Sequence, residues 1–173
     1  MVLIGRTERE AFGSGEWDEV LALAQDHQLP VCVLGPDVAT VPAVARRFGG
    51  LQLILDHCGW CRSVEHWDGI LALGSVENVS MKWSHAARAF PPTETQRQFE
   101  RAVDAFGVQR LLWASDITED ESESSWSELM SFIADNPALS AGDREWVLGR
   151  TARQVFRWPV PAAPSHPTNE GAA

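Results

Sequence analysis

The stretch Leu51-Gln-Leu-Ile-Leu-Asp-His57-Cys58-Gly59-Trp60 decides the fold. It is an apolar run without polar alternation, and it ends at an acid, a histidine and a glycine. Continuous apolar runs of this length are typical of strands buried on both faces, as in a parallel sheet. Polar residues at the carboxyl end of such a strand lie where α/β folds place their chemistry. The stretch therefore predicts a central strand with His57 as a candidate functional residue at its end.

A second copy of the pattern, Arg110-Leu-Leu-Trp-Ala-Ser115-Asp116, lies nearer the end of the chain. If the two strands are parallel, His57 and Asp116 lie at the same edge of one sheet. A carboxylate near a histidine or a metal takes a proton from water and directs the water at a carbonyl. A single histidine at a strand end is more often structural than catalytic, and Asp116 alone is explained as a helix cap or loop carboxylate. The hypothesis therefore depends on the pair.

Length and composition limit the class of protein. The chain has 173 residues, of which 45% are hydrophobic, enough for one domain with a core but short for a closed (β/α)8 barrel of about 250 residues. A net charge of -10 without a basic cluster argues against nucleic acid. No segment approaches the roughly 18 apolar residues of a membrane span, there is no basic signal-peptide region, and three cysteines do not make a disulfide framework. We expect a soluble cytoplasmic protein that contacts neither nucleic acid nor membrane.

Strand and helix signals alternate along the chain, which predicts a parallel sheet with right-handed crossovers and about five strand-helix units. The predicted strands are Met1–Gly5, Val31–Leu34, the run from Leu51, Asn78–Trp83 and Gln109–Ala114. The first predicted helix begins at about Glu16. The next are Thr40–Phe48, Ser63–Leu73 and a helix that starts with a Thr93–Gln96 capping box and ends at Gly107. The last two are Trp126–Ala134 and Gly142–Phe156. Arg6 lies at the end of the first predicted strand, and a loop containing Gly13-Ser14-Gly15 leads from it into the first helix. An acidic, serine-rich loop is expected over residues 119–125. Residues 1–158 form one domain, and residues 159–173 are a proline-rich tail that we expect to be disordered.

Several motifs together resemble one family. In order they are Leu-Asp-His57-Cys-Gly, Asn78-Val-Ser-Met-Lys82-Trp-Ser, Phe106-Gly-Val-Gln-Arg-Leu-Leu-Trp-Ala-Ser-Asp116, Leu139-Ser-Ala-Gly-Asp-Arg and Thr151-Ala-Arg-Gln-Val-Phe156. They are similar to the C-terminal half of the amidohydrolase-related family, the branch that includes pyrone-dicarboxylate and sugar-lactone hydrolases and some decarboxylases. The resemblance implies a partial (β/α)8 barrel. It also implies that Asp116 is the general base of a hydrolase and that His57 orients water or binds a metal.

Two departures from the family pattern concern the metal. The family's first strand ends in a His-x-His pair, and this chain contains no His-x-His. Many relatives also end the strand that corresponds to Val31–Leu34 in a histidine, where this chain has Leu34 and Gly35. His57 and Asp116 alone are few ligands for zinc, which usually takes three or four from the protein. We therefore expect a divalent metal, if one binds, to be weakly held.

Further residues at predicted strand ends are candidates for binding substrate. Arg6 and Lys82 are cations that could pair with substrate carboxylates. Trp60 and Trp83 follow strand ends and could line a pocket, and Ser115 adjoins Asp116. The substrate expected from the resemblance is a small lactone or carboxylated molecule.

Two alternative functions remain open. One is a catalytically degenerate or truncated family member that acts as a binding or assembly module. The other is a thiol redox protein, because Cys58-Gly-Trp-Cys61 has the Cys-x-x-Cys spacing of thioredoxin-like pairs between a strand and a helix. The same two thiols could bind zinc with His57 or His66, but a fourth ligand is not evident.

The predicted partners follow from the strand count. Five parallel strands cannot close an eight-stranded barrel, so the sheet keeps two edges, expected at Met1–Gly5 and Gln109–Ala114. Both edges are apolar and lack proline, so they are not protected against pairing with another chain. We expect a homo-oligomer, or association with a separately encoded N-terminal half.

Overall fold

A parallel sheet of four strands organises the part of the chain that the computed structural model describes, residues 6–117 and 125–159. The strands are β1 (Val31–Val33), β2 (Leu53–Leu55), β3 (Val79–Trp83) and β4 (Leu111–Trp113), and they lie in chain order. Neighbours pair in parallel, with Val33 beside Leu55, Leu55 beside Met81 and Met81 beside Leu111. The predicted α/β class is confirmed. The strand predicted at Met1–Gly5, residues 119–124 of the acidic loop and nearly all of the tail lie outside the described residues.

Helices connect the strands, as the alternation predicts. Their bounds are Arg6–Ser14, Asp18–Asp26, Val41–Arg47, Val64–Ala72, Ala86–Ala89, Pro92–Phe106, Trp126–Ala134, Ala141–Glu145 and Thr151–Phe156, with a π-helical segment Trp146–Arg150 joining the last two. Ser63 caps its helix by accepting a hydrogen bond from the backbone N–H of His66, as its sequence position predicts. Within the described residues, no helix is both long and apolar enough to cross a membrane.

Two local predictions are wrong. Arg6 begins the helix Arg6–Ser14 instead of ending a strand that leads into a loop. The buried side chain of Phe12 anchors this helix. The helix Pro92–Phe106 begins without a capping side chain, so the Thr93–Gln96 capping box does not form. Proline suits the first turn since it has no N–H to satisfy there.

The side of the sheet that faces the connecting helices carries an aromatic core, made of Trp67, Trp83, Phe90, Phe99 and Phe132. The Trp83 ring stacks between Phe90 and Phe132, at centroid distances of 5.9 and 6.1 Å, and meets the edge of Phe99 at 5.0 Å. Trp67 and Phe99 are fully or almost fully buried. Aromatic pairs in such geometries stabilise a core beyond the area they bury. This core holds β3 in place and so sets where that strand ends.

The opposite side of the sheet is covered by the chain's own C-terminal helix. Ile54 and Leu112 point to this side and are buried against Val155, with Ala152 and Phe156 packed around them. The helix Thr151–Phe156 therefore covers part of the surface that the interior of a complete barrel would bury. In the described sheet the edge strands are β1 and β4, and the predicted association through open edges stays a prediction.

Candidate functional site

Three side chains from three neighbouring strand ends meet in one cluster. His57 follows β2, His85 follows β3 and Asp116 follows β4. Asp116 Oδ2 lies 3.3 Å from His57 Nδ1 and 2.8 Å from His85 Nδ1. The convergence of His57 and Asp116 predicted from the sequence is thus confirmed, and His85 joins them. We call these three residues the strand-end cluster.

Each residue of the strand-end cluster has a left-handed backbone. The φ angles are 51° at His57, 60° at His85 and 52° at Asp116. A non-glycine residue in this region costs about 1–2 kcal/mol relative to right-handed backbone. Such conformations persist only where the surrounding structure imposes them, and they concentrate at functional sites. The same unfavourable backbone at three converging residues points to a site rather than to ordinary strand ends.

His57 opens a turn in which four successive residues, His57–Trp60, all have positive φ angles. We call this segment the left-handed turn. Cys58 is buried there and donates a hydrogen bond from its thiol to the Ser84 carbonyl. Gly59 packs directly on Ile70, because a Cβ at this position would lie 2.9 Å from Ile70 Cδ1. The turn therefore needs glycine for both its backbone and its space, and it aims His57 and Trp60 at the same place.

Polar contacts to both histidines orient the cluster. The Oγ of Ser84 lies 3.0 Å from His57 Nδ1, and Asp116 Oδ2 is shared between the two imidazoles. The side chains are 24%, 10% and 15% exposed for His57, His85 and Asp116. They are shielded enough for strong electrostatic interactions and still reachable from solvent. A shared carboxylate between two imidazoles suits either proton transfer or metal binding.

The donor set fits a divalent metal. One nitrogen of each imidazole and one carboxylate oxygen all lie within 4.8 Å of one another. Two histidines and one carboxylate are ligands of catalytic zinc sites, which leave a further position for water. His85 is a third potential ligand that the sequence analysis did not find. The cluster therefore offers one potential ligand more than the pair predicted from the sequence.

A groove of about 270 Å³ runs beside the cluster. Its lining side chains come from the left-handed turn, from Cys61 directly after it and from the segment after β3. They are His57, Trp60, Cys61, His85, Arg88 and Ala89. The Trp60 ring stacks on His85 at a centroid distance of 5.4 Å and meets His57 edge-on at 6.1 Å. The groove is slightly smaller than typical small-molecule pockets of about 300–1,000 Å³, and Trp60 gives it an aromatic wall beside the two histidines.

The other predicted substrate-binding residues occupy different places. Arg6 is largely exposed and pairs with Glu10 on its own helix. Lys82 is half-buried and pairs with Asp56 at 2.5 Å. Burial disfavours the charged form of Lys82, but the Asp56 carboxylate and the nearby Cys32 sulfur outweigh it and raise the pKa of Lys82.

Trp83 and Ser115 lie beside a second cavity rather than in the groove. Trp83 is 3% exposed in the aromatic core. It lines, together with Ser115, a mainly apolar cavity of about 310 Å³ between β3, β4 and the helix Trp126–Ala134. Ser84 and His85 also line this cavity, so it borders the strand-end cluster on another side. Of the two tryptophans that follow strand ends, Trp60 is the one that reaches the groove.

His85 is the site residue that the sequence analysis missed. His85 follows β3 just as His57 follows β2, so it also lies at the carboxyl end of a parallel strand. The nearest motif stopped at Ser84, and nothing in the local sequence signals that a residue 31 positions away, Asp116, is its partner. The strand-end rule applied to every predicted strand would have found it.

The cysteines are poorly placed for redox chemistry. Burial raises the pKa of Cys58 well above its usual range and raises the pKa of Cys61 as well. A redox-active pair needs a stabilised thiolate, usually at a helix N-terminus. Cys58 lies instead in the left-handed turn, with its proton donated to a carbonyl. The geometry argues against both the thioredoxin-like pair and a zinc site that uses Cys58.

The parallel β/α architecture defines the fold class, and comparison with known proteins identifies the family. The amidohydrolase family model matches residues 5–158, so the chain belongs to the amidohydrolase family. The chain is 28% identical over 160 residues to an L-fucono-1,5-lactonase of Burkholderia multivorans, covering 80% of this chain and 54% of the lactonase.

Solved structures support the fold. A zinc-bound amidohydrolase from Burkholderia multivorans superposes with a TM-score of 0.78 at 22% identity, covering 91% of this chain and 62% of that one. A protein assigned as a 2-pyrone-4,6-dicarboxylic acid hydrolase of Pseudomonas putida superposes with a TM-score of 0.69 at 24% identity, covering 86% and 59%. The chain is a partial barrel of this fold, and it spans about half the length of the curated relative that it matches.

Proposed function

We propose that this chain hydrolyses a small lactone, with Asp116 as the general base and His57 as the residue that orients water. The observation that carries the proposal is the convergence of Asp116 Oδ2 with His57 Nδ1 and His85 Nδ1, at 3.3 and 2.8 Å. The similarity to an L-fucono-1,5-lactonase favours a lactone over other substrates of amidohydrolases.

The reaction divides between a few groups. Asp116 takes a proton from water, and the water oxygen attacks the lactone carbonyl. The ring C–O bond then breaks, and the proton passes to the leaving alkoxide, which gives the open hydroxy acid. His57, held by Ser84, orients the water, and His85 fixes the Asp116 carboxylate from the other side.

A divalent metal, which we propose to be zinc, would be held by His57, His85 and Asp116. When bound, such a metal polarises a carbonyl and lowers the pKa of water. Three protein ligands without a His-x-His pair predict weaker retention than a fully coordinated site has, since affinity depends on the number and geometry of ligands.

Lys82 remains the proposed partner of a substrate carboxylate, although it already has a partner in the protein. Its ammonium is already paired with Asp56 at 2.5 Å, so an anionic substrate must compete with that carboxylate. Arg6 pairs with Glu10 on an exposed helix face, and we propose for it at most a peripheral contact.

One observation favours a second candidate, a binding module without catalysis: β1 is followed by Leu34 and Gly35, where many members of the family have a histidine. Hydrolysis of a panel of five- and six-membered sugar lactones, with zinc added or removed by a chelator, separates the two. The hydrolase proposal predicts turnover that needs metal and is lost in Asp116→Asn. Binding of lactones without turnover, in zinc-loaded protein, favours the binding module.

A further inference from the structure

The left-handed turn positions a second side chain, Trp60, in addition to His57. Four successive left-handed residues end at Trp60, and a strained segment of this length is maintained only if the structure gains by it. Placing His57 requires the first of these residues. The remaining residues carry the chain to Trp60, whose half-buried indole lies against both imidazoles of the cluster.

The position of Trp60 relative to His85 determines what its indole can contact. The two rings lie 28° from parallel at 5.4 Å, so His85 covers part of one indole face. The indole also lines the groove beside Cys61 and Ala89. A molecule that enters the groove beside the two histidines therefore has the Trp60 indole as the aromatic wall of its site.

We infer that Trp60 is a specificity-determining residue that selects a small ring over an open chain by stacking against the ring's C–H face. This inference rests on the proposed lactone hydrolysis and deepens it. The groove volume of about 270 Å³ admits one small ring. A rigid ring presents its C–H face without loss of internal freedom, whereas an open-chain ester loses conformational entropy when it is held flat.

The experiment compares ring and open-chain ligands in Trp60→Leu and Trp60→Phe. Leucine keeps apolar bulk without a flat surface, and phenylalanine keeps a smaller flat surface. For sugar 1,5-lactones we expect Trp60→Leu to raise KM about five- to tenfold, with a smaller change in kcat, and Trp60→Phe to recover much of the loss. For the methyl ester of the same sugar acid, KM should change by less than about twofold. Trp158→Leu, an exposed tryptophan outside the groove, is the matched control.

Binding of a non-hydrolysable ring separates this inference from the proposed function. A polyhydroxylated six-membered lactam, titrated calorimetrically into zinc-loaded protein, should bind wild type and bind Trp60→Leu about five- to tenfold more weakly. If the lactam binds in this way but no lactone is turned over, the Trp60 inference stands and the hydrolase proposal fails. Equal losses for ring and open-chain ligands, or no lactam binding to wild type, would overturn the inference. Loss of zinc in Trp60→Leu would also overturn it, because Trp60 would then act only by holding His85.

Discussion

Trp83 and His85 are two residues apart, yet one belongs to a packed apolar core and the other to a polar cluster with strained backbone. Trp83 lies in the aromatic core, with a strand backbone and rings packed on several sides. His85 lies in the strand-end cluster, with left-handed backbone and a carboxylate shared with His57. Each core residue stabilises the folded state, whereas the strained backbone and buried polar groups of the cluster destabilise it. Substitutions in the core should therefore change stability, and those in the cluster should change chemistry.

The largest effect is expected from removing the proposed base. Asp116→Asn keeps the shape of the side chain but not its ability to accept a proton, so lactone hydrolysis should fall about 10²–10⁴-fold. The free energy of unfolding should change little. Steady-state kinetics and urea denaturation measure the two quantities, with the exposed Asp104→Asn as the control. Full activity in Asp116→Asn would remove Asp116 from the mechanism.

The matching change in the core is Phe99→Ala. Phe99 is fully buried, so the substitution should lower the free energy of unfolding by about 3–5 kcal/mol. Activity per folded molecule should be nearly unchanged, because Phe99 packs on Trp83 and Phe132 in the aromatic core. Val20→Ala, at a position 59% exposed, should be nearly neutral in denaturant titrations. A selective loss of activity in Phe99→Ala would show that the two regions are not separable.

Gly59 connects the two regions, because it belongs to the left-handed turn and packs on the buried Ile70. Gly59→Ala introduces a Cβ 2.9 Å from Ile70 Cδ1 at a φ of +65°, and it should destabilise the protein by about 1–2 kcal/mol. Activity should fall as well, since the turn positions His57. Gly149→Ala is the matched control, because no atom lies within 4 Å of the new Cβ. If both alanines are equally tolerated, the left-handed turn is not under the constraint that we describe.

Sequence patterns predicted the core much better than the cluster. The strand Val79–Trp83 and the helix Trp126–Ala134 follow from hydrophobic runs and periodicity, which are local properties. The strand-end rule found His57 and Asp116 because strand ends are local too. It could not show that the backbone at these residues is left-handed, since only Gly59 in the turn signals such a conformation. The helix Arg6–Ser14 was missed because burial of Phe12, a tertiary contact, overrides a polar and glycine-containing sequence.

A smaller effect concerns the buried thiol beside the cluster. Burial raises the pKa of Cys58, so its thiol stays protonated in the folded protein. Above the thiol pKa of the unfolded chain, about 8.5, the unfolded state loses this proton and the folded state does not. The free energy of unfolding is therefore unaffected by Cys58 below this pH and falls as the pH rises above it. The slope due to this group is at most about 1.4 kcal/mol per pH unit. Cys58→Ala should lack that part of the alkaline decline in the free energy of unfolding. An identical decline in the variant would mean that Cys58 ionises as easily in the folded protein as in the unfolded chain.

Zinc binding by His85→Ala tests the central claim, that three strand ends form one metal-binding hydrolytic site. Wild type should bind one equivalent of zinc weakly enough to lose it to a mild chelator and regain it on addition. His85→Ala should bind at least about 10–100-fold more weakly and lose lactone hydrolysis in parallel, while the exposed His27→Ala should match wild type. Equal zinc affinity in His85→Ala and wild type would contradict the account, as would stoichiometric zinc that resists the chelator and disappears only when Cys58 and Cys61 are replaced.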